Sequence, residues 1–131
     1  MVIDTSALIA ILFGEKEAMS FIQALSDDPR KLISAYNQLE AAIVVEAKKG
    51  ESGGRELDLI LHRAQVEVIA MNSEQAEIAR AAWRKFGKGN HPAGLNIGDC
   101  CAYALAKYSE EPLLFKGKDF SRTDIRAAVS I

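Results

Sequence analysis

Four short apolar runs, at residues 1–3, 31–34, 66–70 and 112–115, alternate along the chain with longer segments whose apolar residues recur at helical spacing. That alternation restricts the fold more than any other feature. Short strands joined through helical segments pair in parallel, and the helices then cover both faces of the sheet. The chain is therefore expected to form a three-layer α/β/α domain on a mainly parallel sheet of four strands, or five if residues 127–130 join the edge. Helices are predicted over 6–13, 15–25, 35–49, 55–64, 73–85 and 97–108. In the second, Ala18, Phe21, Ile22 and Leu25 share one face, and in the fourth Leu57, Ile60, Leu61 and Ala64 do. Ser34, Asn72 or Ser73, and Asn96 stand where N-caps belong, and Gly50, with Gly53 and Gly54 after it, ends the third helix.

Composition narrows the class without naming a function. A chain of 131 residues, 49% hydrophobic and 26% charged, fits one folded domain over 1–131. The net charge of −2 advertises no general basic surface, although a local basic rim beside an acidic site would vanish in that total. Cys100 and Cys101 are adjacent, which suits a reducing compartment rather than a disulfide framework. The apolar stretch 7–13 is far shorter than the roughly 20 residues of a spanning helix. Asp4 stands where a signal peptide carries Lys or Arg. The expectation is a cytoplasmic protein without membrane contact.

In parallel sheets, reactive groups collect beyond the carboxyl ends of the strands. Asp4 follows the first strand and Asp119 the fourth, so both are expected at one edge. Asp4 can also cap the following helix, but Ser6 could do that equally well. Glu40 has Ile43 and Val44 as its i+3 and i+4 neighbours, which places it near the apolar face, where an uncompensated carboxylate is costly. Asp99 takes the N3 position of a capping box begun by Asn96. Capping and cation binding use different lone pairs, and the helix after Asp99 is apolar nearly all round, hence central. Turn chemistry accounts for Asp119 on its own, and Asp124 in the same string is an alternative fourth acid. Three or four carboxylates at one edge repel each other unless divalent cations neutralise them. An all-oxygen set suits Mg²⁺ or Mn²⁺ rather than zinc, and such ions suit phosphoryl chemistry.

Other residues are expected to be structural. His62 and His91 are too far apart and too poorly accompanied for a zinc site. The two cysteines read as small core residues, and Trp83 and Phe86 as packing groups rather than base-stacking ones.

The strings MVIDTSALIAILFGE, LISAYNQLEAAIVVEA, GKGNHPAGLNIGDCCAYALA and PLLFKGKDFSRTDI run in order over nearly the whole chain. Together they resemble PIN-domain ribonucleases of the VapC toxin type. The resemblance implies a PIN-like fold and a divalent-metal endoribonuclease, with Asp4, Glu40 and Asp99 as metal-site acids and Asp119 as the more variable fourth. It puts Thr5 and Ser6 where the family often keeps a supporting hydroxyl. It also implies a homodimer, neutralised by a cognate VapB antitoxin whose tail occupies the groove near the acids. On that reading, metal-activated water attacks a backbone phosphorus in line and leaves a 5′-phosphate and a 3′-hydroxyl. Arg84, Lys85, Lys88, Lys116, Lys118 and Arg122 flank the late acids and are candidates for RNA phosphate contacts.

Two rival enzymes fail on the residues. A haloacid-dehalogenase-like phosphatase wants a second Asp two positions after the first, where this chain has Ser6. A receiver domain wants an acceptor Asp after the third strand, where this chain has Met71-Asn72-Ser73. A non-catalytic binding module of PIN type is the remaining alternative.

Overall fold

A computed structural model describes residues 1–129. Its strands are β1 (Val2–Ile3), β2 (Leu32–Ser34), β3 (Glu67–Ile69) and β4 (Leu113–Leu114). They form one sheet in the order β3-β2-β1-β4, parallel throughout. Because side chains alternate along a strand, each short strand serves both faces. Val2, Leu32 and Leu113 point to one core, and Ile3, Ile33 and Leu114 to the other. Each such buried aliphatic residue contributes about 1.5–3 kcal/mol relative to exposure.

The second core is closed by α1 (Thr5–Leu12), α2 (Ala18–Asp27) and α3 (Ala35–Arg63) through Leu8, Phe21, Ala41, Val45 and Leu57. The first is closed by α4 (Ser73–Phe86) and α5 (Ile97–Ser109), through Ala79, Ala82, Ala102 and Leu105. This is the expected three-layer arrangement. Asn72 caps α4 by accepting from the Gln75 N–H, and Ser34 caps α3 by accepting from the Tyr36 N–H.

Three details differ from the sequence expectation. Residues 15–17 form a turn after Gly14, so α2 starts at Ala18. The two predicted helices 35–49 and 55–64 are limbs of α3, broken at Gly50, where φ is 67° and ψ −166°. Gly53 and Gly54 do more than end a helix. A Cβ on Gly53 would stand 2.7 Å from Val45 Cγ1, and one on Gly54 would stand 2.8 Å from Glu46 Cδ, so both glycines let the second limb fold tightly back. At the sheet edge Ala127 makes an isolated parallel bridge to Leu113, and no fifth strand forms among the described residues; Ser130 lies outside them.

Candidate active site

The acids gather at the carboxyl end of the sheet. The Asp4 N–H donates to the Leu114 carbonyl at 2.9 Å, so the last rung between β1 and β4 fixes where Asp4 leaves the sheet. Its side chain then caps α1: Oδ2 accepts from the Ser6 N–H at 3.0 Å and from Ser6 Oγ at 2.5 Å. Ser6 Oγ in turn accepts from the Lys116 N–H at 2.9 Å, tying the exit of β4 to the same point. Asp4 is 4% exposed. Burial is the main reason its carboxyl is pushed up to about 7; the Ser6 hydrogen bonds oppose this, and the charges of Asp99 and Glu40 add to it.

Glu40 is held from α1. Thr5 Oγ1 donates to Glu40 Oε1 at 2.6 Å. Asn37, fully buried one turn earlier on α3, donates from Nδ2 to Thr5 Oγ1 at 3.3 Å and to the Gly98 carbonyl at 3.0 Å. It also reaches Glu40 Oε1 at 3.4 Å. Thus Thr5 and Ser6, both expected beside the site, bond to Glu40 and to Asp4 respectively. Asn37 and Gly98 were not among the expected site residues. A Cβ on Gly98 would stand 2.5 Å from Glu40 Oε2, so any larger residue at the first turn of α5 would push that carboxylate aside.

Asp99 forms the expected capping box: its Oδ2 accepts from the Asn96 N–H at 3.0 Å, and its own N–H donates to Asn96 Oδ1 at 2.9 Å. Burial holds its carboxyl above the usual carboxylate range; the Asn96 contact opposes this, while Asp119 and Glu40 add to it. Asp119 is exposed in the loop after β4, near enough for its charge to act on Asp99. Asp124 faces elsewhere. It accepts from the Tyr103 hydroxyl at 2.6 Å and pairs with Lys107 at 3.0 Å, and these contacts overcome its partial burial and hold its carboxyl low. Of the two late acids, Asp119 is the one whose charge acts on Asp99.

Asp4, Glu40 and Asp99 each commit one oxygen to the protein and leave the other without a hydrogen bond among the described residues. In the same residues no three acidic, histidine or cysteine side chains are gathered tightly enough to enclose an ion as they stand. The donor chemistry nevertheless fits a hard divalent cation: carboxylate oxygens only, in a cluster whose negative charges raise one another's proton affinity.

The basic candidates separate. Lys116 is committed to Glu15 at 2.9 Å and Glu17 at 3.5 Å. Arg122 donates to the Pro92 carbonyl at 3.4 Å, and Lys85 lies over the Phe86 ring. Arg84, Lys88 and Lys118 are exposed. His62 is exposed, and His91 accepts from the Ala93 N–H and packs edge-on against Phe86, so neither histidine joins the acids. Cys100 and Cys101 are buried, and burial pushes both thiols up to about 11. Phe86 is a core residue as expected, whereas Trp83 is 49% exposed.

Residues 1–126 match the PIN domain family. The chain is 58% identical over 125 residues to Ribonuclease VapC30 of Mycobacterium tuberculosis, covering 95% of each protein. It is 57% identical over 127 residues to Ribonuclease VapC of Mycolicibacterium smegmatis, covering 97% of this chain and 98% of that one. Among solved structures, its fold is similar to Mycobacterium tuberculosis VapC20, described as a Sarcin-Ricin loop cleaving toxin, with TM-score 0.76, 16% identity and 95% of each chain covered. A toxin-antitoxin complex from Klebsiella pneumoniae matches with TM-score 0.74 and 18% identity over 99% of this chain and 98% of that one.

Proposed function

The chain belongs to the PIN-domain family, and from that membership we propose that it is a VapC-type endoribonuclease toxin whose Asp4, Glu40, Asp99 and Asp119 hold Mg²⁺ or Mn²⁺. The observation that carries this reading is the electrostatic coupling of the acids, with Asp4 and Asp99 both raised by burial and by their acidic neighbours. A fold gains nothing from such repulsion, and a divalent cation reverses it.

Bound, the ion supplies an activated water, a grip on the scissile phosphate and compensation for charge on the leaving oxygen. The protein's part is positioning. Ser6, anchored by the Lys116 amide, fixes the Asp4 carboxylate; Thr5 and Asn37 fix Glu40; the Asn96 amide fixes Asp99. Water adds to phosphorus, the bond to the 3′-oxygen breaks, and that oxygen takes up a proton. Sequencing the product ends tests this: 5′-phosphate and 3′-hydroxyl termini are expected, and cutting should stop in EDTA. Termini carrying 2′,3′-cyclic phosphate would overturn it.

Gly98→Ala gives a sharper check on geometry. The new methyl displaces the end of a flexible side chain, so stability should change by no more than about 0.5 kcal/mol in a thermal melt. Moving the Glu40 carboxylate by about 1 Å should still slow cutting about 10- to 100-fold. Normal rates in Gly98→Ala would remove Glu40 from the site.

A VapB-type antitoxin is the proposed protein partner, supported by the VapC names of the relatives and by the likeness in fold to a toxin-antitoxin complex. Homodimerisation is supported by the exposed apolar strip on α3, where Leu39 and Ile43 are each 60% exposed. Among the described residues no helix is long and apolar enough to cross a membrane, and the proposed site of action is the cytoplasm.

A further inference from the structure

Between α4 and the start of α5 lies a cavity of about 540 Å³ with mainly apolar walls. Trp83 and Met71 line it from one side, with Tyr36 and Cys101 contributing from α3 and α5. Among the described residues its only charged lining groups are two exposed cations, Arg80 and Lys88. The cavity lies beside the acid cluster. Asn96, whose N–H holds Asp99, lines it, and Tyr36 also borders the hollow that contains Glu40.

Trp83 is the chain's single tryptophan and is not a core group, because the buried face of α4 is made by Gln75, Ala79, Ala82 and Phe86. Its indole lies against the Gly87 backbone: a Cβ on that glycine would stand 2.5 Å from Trp83 Cδ1 and 2.9 Å from Nε1. The ring therefore packs on backbone on one side while about half of the residue faces out.

Resting on the ribonuclease reading above, we propose that this cavity receives an unpaired nucleobase of the RNA beside the phosphate being cut, stacked on Trp83, with Arg80 and Lys88 pairing with flanking phosphates. An aromatic face rimmed by cations matches the π face and the backbone charge of a single strand. A base inside a duplex is stacked on both faces and cannot enter, so the substrate must present a single-stranded or extruded nucleotide at the cut. An apolar protein segment would fill the walls but leave both cations unanswered.

Trp83 emission reports the test directly. The Asp99→Asn protein in Mg²⁺ is titrated with a short single-stranded RNA and with the same sequence as a duplex, and binding is repeated with Trp83→Ala, Trp83→Phe and Arg80→Gln added. The single strand is expected to quench Trp83. Trp83→Ala should weaken its binding about 5- to 150-fold, the cost of losing one base–aromatic stack, while Trp83→Phe keeps most of it. Arg80→Gln should flatten the salt dependence. RNA that binds without altering emission, and binds Trp83→Ala equally well, overturns the base pocket but leaves the nuclease reading standing if the unsubstituted protein still cuts. RNA neither bound nor cut removes both. An emission change that tracks protein concentration without RNA gives the cavity to a second copy of the chain and also overturns the proposal.

Discussion

Asp4→Asn is expected to slow RNA cleavage by about 100-fold or more at saturating Mg²⁺. The fold should survive, because the asparagine oxygen can still accept from the Ser6 N–H and hydroxyl that now hold Asp4 Oδ2. What is lost is one negative charge at the point where β1, α1 and the exit of β4 meet. Single-turnover rates on one RNA, with the melting profile recorded beside them, separate the two effects. A folded Asp4→Asn protein cutting at the unsubstituted rate would mean that Asp4 is only a helix cap.

The same substitution should stabilise the metal-free protein at neutral and alkaline pH. The Asp4 carboxyl is raised to about 7 in the fold from an ordinary value of 3.8. The folded state therefore holds more protons than the unfolded chain between these values, and stability falls as pH rises through that window. Integrated, the loss is about 4 kcal/mol, fully developed above the folded value. Asp99 contributes in the same direction. Urea unfolding in EDTA should show the protein losing the larger part of this between pH 5 and pH 8. The Asp4→Asn curve should be flatter and lie higher at pH 8. Adding Mg²⁺ at pH 8 should raise the unsubstituted protein more than the variant, since binding to the folded state stabilises it. A pH-independent midpoint in both proteins would contradict the coupling on which the site is argued.

The sheet and its acidic edge were legible because they follow from local pattern. Short apolar runs named the strands, and Asp4 and Asp119 were placed by standing after the first and fourth. Asp99 was legible as a cap, since Asn96 and Asp99 sit at the capping-box spacing. Glu40 was singled out for a partly mistaken reason. Its neighbours Ile43 and Val44 are 60% and 37% exposed, so that side of α3 is not the core side, which belongs to Asn37, Ala41 and Val45. Glu40 reaches the cluster at the border between the two faces. Asn37 escaped notice because its partners are remote: Thr5 is 32 positions away and Gly98 is 61. Lys116 looked available for RNA because its partner Glu15 lies 101 positions earlier. Trp83 misled because it stands four positions after buried Ala79, on the flank of the buried stripe of α4. Gln75, Ala79, Ala82 and Phe86 already define the buried stripe of α4, and Trp83 falls outside it.

The most direct test of the central claim is cleavage of a panel of structured RNAs with added Mg²⁺ or Mn²⁺, comparing the unsubstituted chain with Asp99→Asn. Cutting that requires the ion and disappears in the folded variant is the expected result. Cutting that persists in EDTA, or that Asp99→Asn performs as well, would contradict a metal-dependent nuclease built on these acids.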